Sequence, residues 1–185
     1  IATGSDVMKL YCMRHGETGY NRLGLCNDDP SVDVQLTDTG IRQAEAAAEM
    51  LKENAIARII TSELPRTRQT AGIVNRHHNA PITSHPALND IRTGFEGRPV
   101  SEYFAAVSHD RLHQRVNGGE SLLDYKKRVL GFLDWLDTQP RQDTLVVVHE
   151  ETLRVIKAQL DGLGDAAMPE LDFANCELIE FDIDD

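Results

Sequence analysis

The sequence predicts an α/β fold arranged as a three-layer α/β/α sandwich. Three observations point to it. Two short apolar runs, Val7–Met13 and Thr144–Val148, read as buried strands. Each is followed within two residues by a histidine, His15 or His149. Between and after them, strand patterns alternate with amphipathic helical patterns, as a sheet covered by helices requires.

Each element has its own warrant. The first run is mostly apolar, with a β-branched residue and an aromatic, and Gly16, Gly19 and Asn21 follow as turn residues. Thr37 or Asp38 can cap a helix to about Glu53, in which Ile41, Ala44, Ala48 and Leu51 fall near helical spacing. Arg58–Thr61 reads as a short strand. A helix from Pro65 to about His77 follows, with proline in the tolerated first turn. Residues 81–98 read as irregular, punctuated by Pro81, Pro86, Gly94 and Gly97. The next helix is expected over Val100–His113. Ser121 caps another, whose inner stripe is Leu122, Tyr125, Val129, Phe132, Leu133 and Leu136. After the strand that leads to His149, Thr152–Ile156 continues as helix, and Leu178–Ile183 reads as a final strand.

The 185 residues suit one domain spanning 1–185, with 41% hydrophobic and 26% charged residues. The start lacks both an initiating methionine and the basic-then-apolar pattern of a secretory signal. Residues 1–7 therefore read as partly an appended segment, with Met8 the natural start. A net charge of −11 repels nucleic acid and anionic membranes, so neither is expected as a partner. Cys12, Cys26 and Cys176 lack metal-ligand spacing and read as reduced thiols of a cytoplasmic protein. His109 and His113 stand four apart on an expected helix, a spacing that permits shared ligation, but no third ligand accompanies them. They read as a solvated face, and no metal or cofactor is expected. Nothing in the sequence speaks to the oligomeric state.

Chemistry concentrates in Arg14-His15-Gly16-Glu17, delivered where the first strand ends. The carboxyl ends of parallel strands are where α/β folds bind ligands. Arginine grips phosphate through two parallel hydrogen bonds. An unprotonated histidine beside it can attack phosphorus, with its second ring nitrogen donating to a carbonyl. His149, on the second such strand, is the natural companion.

The stretch Leu10–Asn21 (LYCMRHGETGYN) resembles the signature of the histidine phosphatase superfamily, also called phosphoglycerate-mutase-like. The resemblance continues through Gln35–Ala44, Ile60–Ala71, Leu88–Ile91 with Gly94 and Glu96-Gly97, Gly119–Ser121 and the strand ending in His149. It implies a mostly parallel central sheet. It also implies a phosphomonoesterase that hydrolyses a small phosphate-ester substrate through a phosphohistidine on His15. Phosphoglycerate-mutase-type phosphoryl transfer and a weakly active or inactive phospho-ligand-binding module are the alternatives.

By the same resemblance, Arg66 is the second phosphate-binding arginine. Arg68, about 200° further round the helix, then faces solvent. Arg14, Arg66 and His149 form the anion clamp. Asn21 either touches the phosphate or serves as a turn residue. Glu17 orients Arg14 or the backbone. Asp90 stands where the family usually has a glutamate acid, with Glu96 the alternative. Arg92, Arg98, Tyr103, Arg111 and Arg115 either read a second anionic group on the substrate or lie on the surface. One departure stands out: Glu150 occupies a position where the family usually has glycine. It can cap the following helix and point away, pair with a cationic substrate group or a clamp residue, or weaken catalysis. The first is the expectation adopted here.

Overall fold

The structure, a computed structural model, describes residues 7–184. The segment expected to be appended at residues 1–7 lies outside the described residues, except for Val7. Five strands form one sheet: β1 (Met8–Arg14), β2 (Arg58–Thr61), β3 (Ile82–Ser84), β4 (Thr144–Val148) and β5 (Leu178–Ile183). Their order is β3-β2-β4-β1-β5. All neighbours are parallel except β5, which runs antiparallel to β1 at one edge. Among the described residues no helix is long and apolar enough to cross a membrane.

Both sheet faces are covered, so the strands are apolar on both sides. On one face, Leu10, Cys12, Ile60, Val146 and Val148 pack against α5 (Leu122–Asp137) and α6 (Glu150–Leu160). Tyr11, Met13, Ile59, Leu145 and Val147 face the other way, towards α2 (Asp38–Leu51) and α3 (Pro65–Val74). The period-two alternation of side chains therefore separates two cores across a three-layer sandwich. Within α5, Leu122, Tyr125, Val129, Phe132 and Leu136 are buried, and Leu133 packs partly buried beside them. Thr37 is the residue that caps α2, accepting from the Gly40 amide. Cys12, Cys26 and Cys176 are free thiols.

Three local expectations need correction. Residues 81–98 are not wholly irregular: β3 lies within them, but all three of its side chains are exposed on a sheet edge, so no burial pattern marks it. The turn after β1 contains a short helix, α1 (Gly19–Leu23), closed by a capping box between Thr18 and Asn21. The helix expected over Val100–His113 stops early, as α4 (Val100–Ala106). Ser108 donates its hydroxyl back to the Ala105 carbonyl, and Asp110 accepts from the His113 amide, so side chains replace the helical ladder there. His109 and His113 therefore share no helix face, and His113 pairs with Asp110.

Candidate active site

The register of the central strands builds the site. Arg14 on β1 lies opposite Val148 on β4, and the His15 amide donates to the Val148 carbonyl. The next residue of each strand is thus a histidine at the same carboxyl edge. The imidazoles of His15 and His149 meet edge to face, with centroids 5.4 Å apart. Ser62 leaves the end of the adjacent β2, and α3 begins three residues later, carrying Arg66 inwards. Arg66 is buried, whereas Arg68 is exposed.

His15 is held as the tautomer that keeps its lone pair on Nε2. Its Nδ1 lies 2.7 Å from the Gly16 carbonyl, to which it donates, and Arg66 Nε donates to Nε2 at 3.1 Å. The lone pair is therefore on Nε2. Burial, reinforced by Arg66 and Arg14, holds the His15 pKa well below the ordinary imidazole range. The peptide at Gly16 can sit this way because it has no side chain. A Cβ there would come 2.7 Å from the Gly40 carbonyl oxygen, and one on Gly40 would come 2.1 Å from that of Glu17.

His149 is also buried, and its pKa is lowered first by burial and then by the charge of Arg66. Its Nε2 is 2.8 Å from Ser62 Oγ, which also accepts from the Leu64 amide and touches Thr67 Oγ1. Thr67 can donate to the Leu64 carbonyl at 3.0 Å. The contact allows Ser62 to donate to Nε2, the arrangement that places the proton of His149 on Nδ1. That atom is buried without a hydrogen-bond partner, as is Arg14 Nε. Two donors left unmet beside two guanidiniums describe a cradle for an anion.

The remaining predicted residues fall as follows. Arg14 Nη1 donates to the Phe173 carbonyl at 2.6 Å and reaches Glu150 at 3.3 Å. Asp90 Oδ2 pairs with Arg66 at 3.1 Å and lies 3.7 Å from His149 Nδ1, while Oδ1 accepts from the Ile91 amide. Burial raises the Asp90 carboxyl to about 6, against the opposing pull of Arg66. Asn21 is both a capping residue and part of the cavity wall: its Oδ1 accepts from the Thr18 amide, which leaves its amide nitrogen as the end available to a ligand. Glu96 does not line the cavity. It accepts from Asn27 Nδ2 and the Asp28 and Asp29 amides, holding that loop in place.

Several expectations are overturned. Glu150 does not point away. It stands in the cavity wall and pairs with Arg14, with Arg154 at 3.0 Å and with the Phe173 amide, because two guanidiniums outweigh the pull of the helix end alone. Glu17 does not touch Arg14; its carboxylate holds Thr37 and Arg22. Of the two roles open to Arg92, Arg98, Arg111 and Arg115, the surface one holds: they are tied to Glu120, Glu102, Glu151 and Asp124, and none lines the cavity. Tyr103 does line it, buried against Phe95.

Two positioning residues carried no sequence signal. Asn27 accepts from Arg66 with both its side chain and its carbonyl. Arg128 on α5 donates to the Ala87, Asn89 and Asp90 carbonyls and pairs with buried Glu120, so it shapes the loop that carries Asp90. A buried polar residue far along the chain from its partners leaves no local pattern to read.

A cavity of about 160 Å³ opens at the carboxyl ends of the parallel strands of this α/β fold, lined by Arg14, Arg66 and His15, with His149 buried behind His15. Residues 10–185 match the family model of the histidine phosphatase superfamily (branch 1), and the chain belongs to that superfamily. It is 32% identical over 189 residues to a Yersinia pestis protein named "Probable phosphoglycerate mutase GpmB", covering 95% of this chain and 85% of the relative. The crystal structure of the alpha-ribazole phosphatase from Shigella flexneri superposes with a TM-score of 0.86 at 28% identity, covering 96% of this chain and 91% of the other. The mycobacterial glucosyl-3-phosphoglycerate phosphatase in complex with VO3 shares the fold, with a TM-score of 0.80 at 24% identity over 94% of this chain and 90% of that one. Members of the superfamily are in general phosphatases and mutases.

Proposed function

We propose that this protein is a phosphomonoesterase that hydrolyses a small phosphorylated metabolite through a phosphohistidine on His15. The observation that carries the reading is the convergence of His15 Nε2 with unmet donors on Arg14 and His149, in reach of a carboxyl raised to about 6. A phosphate displaces Arg66 Nε from the His15 lone pair and takes up the donors of Arg14, Arg66 and His149. Nε2 then attacks phosphorus, and the bond to the ester oxygen breaks as Asp90 delivers its proton to that oxygen. In the second half, water attacks phosphorus, its proton goes to Asp90, and the nitrogen–phosphorus bond breaks. Inorganic phosphate and the starting enzyme result.

Mutase-type transfer requires a grip on the second anionic group of a phosphoglycerate. The four candidate arginines to supply it, Arg92, Arg98, Arg111 and Arg115, are paired with carboxylates and do not line the cavity, which favours hydrolysis. The test is release of nitrophenolate from p-nitrophenyl phosphate, with acid-labile phosphate trapped on the wild-type protein from radiolabelled substrate. His15→Ala should lose both. A His15→Ala protein that keeps its turnover overturns the covalent route.

A further inference from the structure

The cavity wall mixes charged residues with aromatic and apolar ones. Its cations, Arg14 and Arg66, both lie at the phosphate end. The rest of the wall includes Tyr20, Tyr103 and Phe104, with Leu25, Ile91 and Val100. Phe104 is 39% exposed, its ring 5.3 Å centroid to centroid from Tyr103 and covered on one face by the Arg111 guanidinium at 4.8 Å. The other charged residues of the wall are the carboxylates of Asp28, Asp90, Glu150 and Glu151, with Glu150 paired to Arg14 and Arg154, and Glu151 to Arg111 and Arg154.

Glu151 is the informative one. Its Oε1 accepts from Arg111 and Arg154, which do not line the cavity. Its Oε2 is buried and has no hydrogen-bond partner. An unmet acceptor in the wall of a cavity is completed by a ligand N–H and opposed by a ligand carboxylate. Aromatic faces beside it also accept a cation and repel nothing apolar.

From this wall, and resting on the hydrolase reading above, we infer the substrate class. The organic part of the ester is aromatic or apolar and bears no second anionic group. An ammonium or other N–H donor at its far end improves the fit by meeting Glu151. Phosphoglycerates and bisphosphates are poorer substrates, because beyond Arg14 and Arg66 the wall holds no cation to receive a second anion.

Three phosphate esters test this: 4-ethylphenyl, 4-(carboxymethyl)phenyl and 4-(aminomethyl)phenyl phosphate. The methylene insulates the phenol, so the leaving groups are closely matched and the remote charge is the variable. Expected is a kcat/KM at least about tenfold lower for the carboxymethyl ester than for the ethyl ester, and several-fold higher for the aminomethyl ester. Glu151→Gln should bring the aminomethyl and ethyl esters to parity. Binding of the same esters to His15→Ala protein by calorimetry reads the ranking without turnover. Absence of turnover with the ranking intact would fail the hydrolase reading alone. Equal or better binding of the carboxymethyl ester would overturn the inference, and an aminomethyl advantage that survives in Glu151→Gln would overturn its assignment to Glu151.

Discussion

Replacing Asp90 with asparagine removes the proposed proton donor while keeping the shape of the side chain. With its carboxyl raised to about 6, roughly one Asp90 in ten is protonated at pH 7; at an ordinary aspartate value it would be on the order of one in a thousand. Burial thus enriches the active acid by about a hundredfold, and a bound phosphate dianion pushes it further in the same direction. The protonated fraction falls as pH rises through 6, so kcat/KM should fall on that limb. General acid catalysis contributes about 10²–10⁴-fold, and more of it is needed when the departing oxygen is basic. Asp90→Asn should therefore lose about a hundredfold or more in kcat/KM towards phenyl phosphate. Towards p-nitrophenyl phosphate, whose leaving group departs as a stable anion, the loss should be about tenfold or less. The assay is initial rates for both esters from pH 4.5 to 8, where kcat/KM reports steps up to phosphoryl transfer and is blind to later hydrolysis of the phosphoenzyme. Equal losses for the two esters, or a falling limb that persists in the variant, would refute the assignment of Asp90 as the acid.

Two further outcomes follow from the same geometry. Glu150→Gln removes a carboxylate that competes with phosphate for Arg14; a repulsion of about 1–1.5 kcal/mol is relieved, so inorganic phosphate should bind about tenfold tighter by calorimetry. Weaker binding would show instead that Glu150 is needed to hold Arg14 in place. Gly40→Ala drives a Cβ to 2.1 Å from the Glu17 carbonyl oxygen, where backbone cannot yield without moving the loop behind His15. A loss of about 3 kcal/mol, or roughly 6–12 °C in Tm, is expected in thermal unfolding; an unchanged Tm would contradict the packing described between that loop and α2.

Much of this molecule is written locally in its chain. Apolar runs short enough to be strands, the capping residues Thr37 and Ser121, and the stripe from Leu122 to Leu136 each depend on neighbours a few residues away, and the architecture follows from them. Arg14, His15, Arg66 and His149 are likewise legible, because each sits at a strand end or in a helix first turn within a recurring motif. What lies between distant segments is not. The exposed edge strand β3 has no burial pattern, and the end of α4 turns on how Ser108 and Asp110 spend their side chains. Asn27 and Arg128 act through distant partners, Arg66 and the Asn89 carbonyl, each 39 positions away in the chain. Glu150 faces the cavity because Arg14 and Arg154 converge on it from separate elements. Above all, the pairing of Arg14 with Val148 decides that two histidines 134 positions apart in the chain end side by side. Residue type sets what each group can do. Strand register, a long-range hydrogen-bond pattern that no local propensity encodes, sets which groups can do it together.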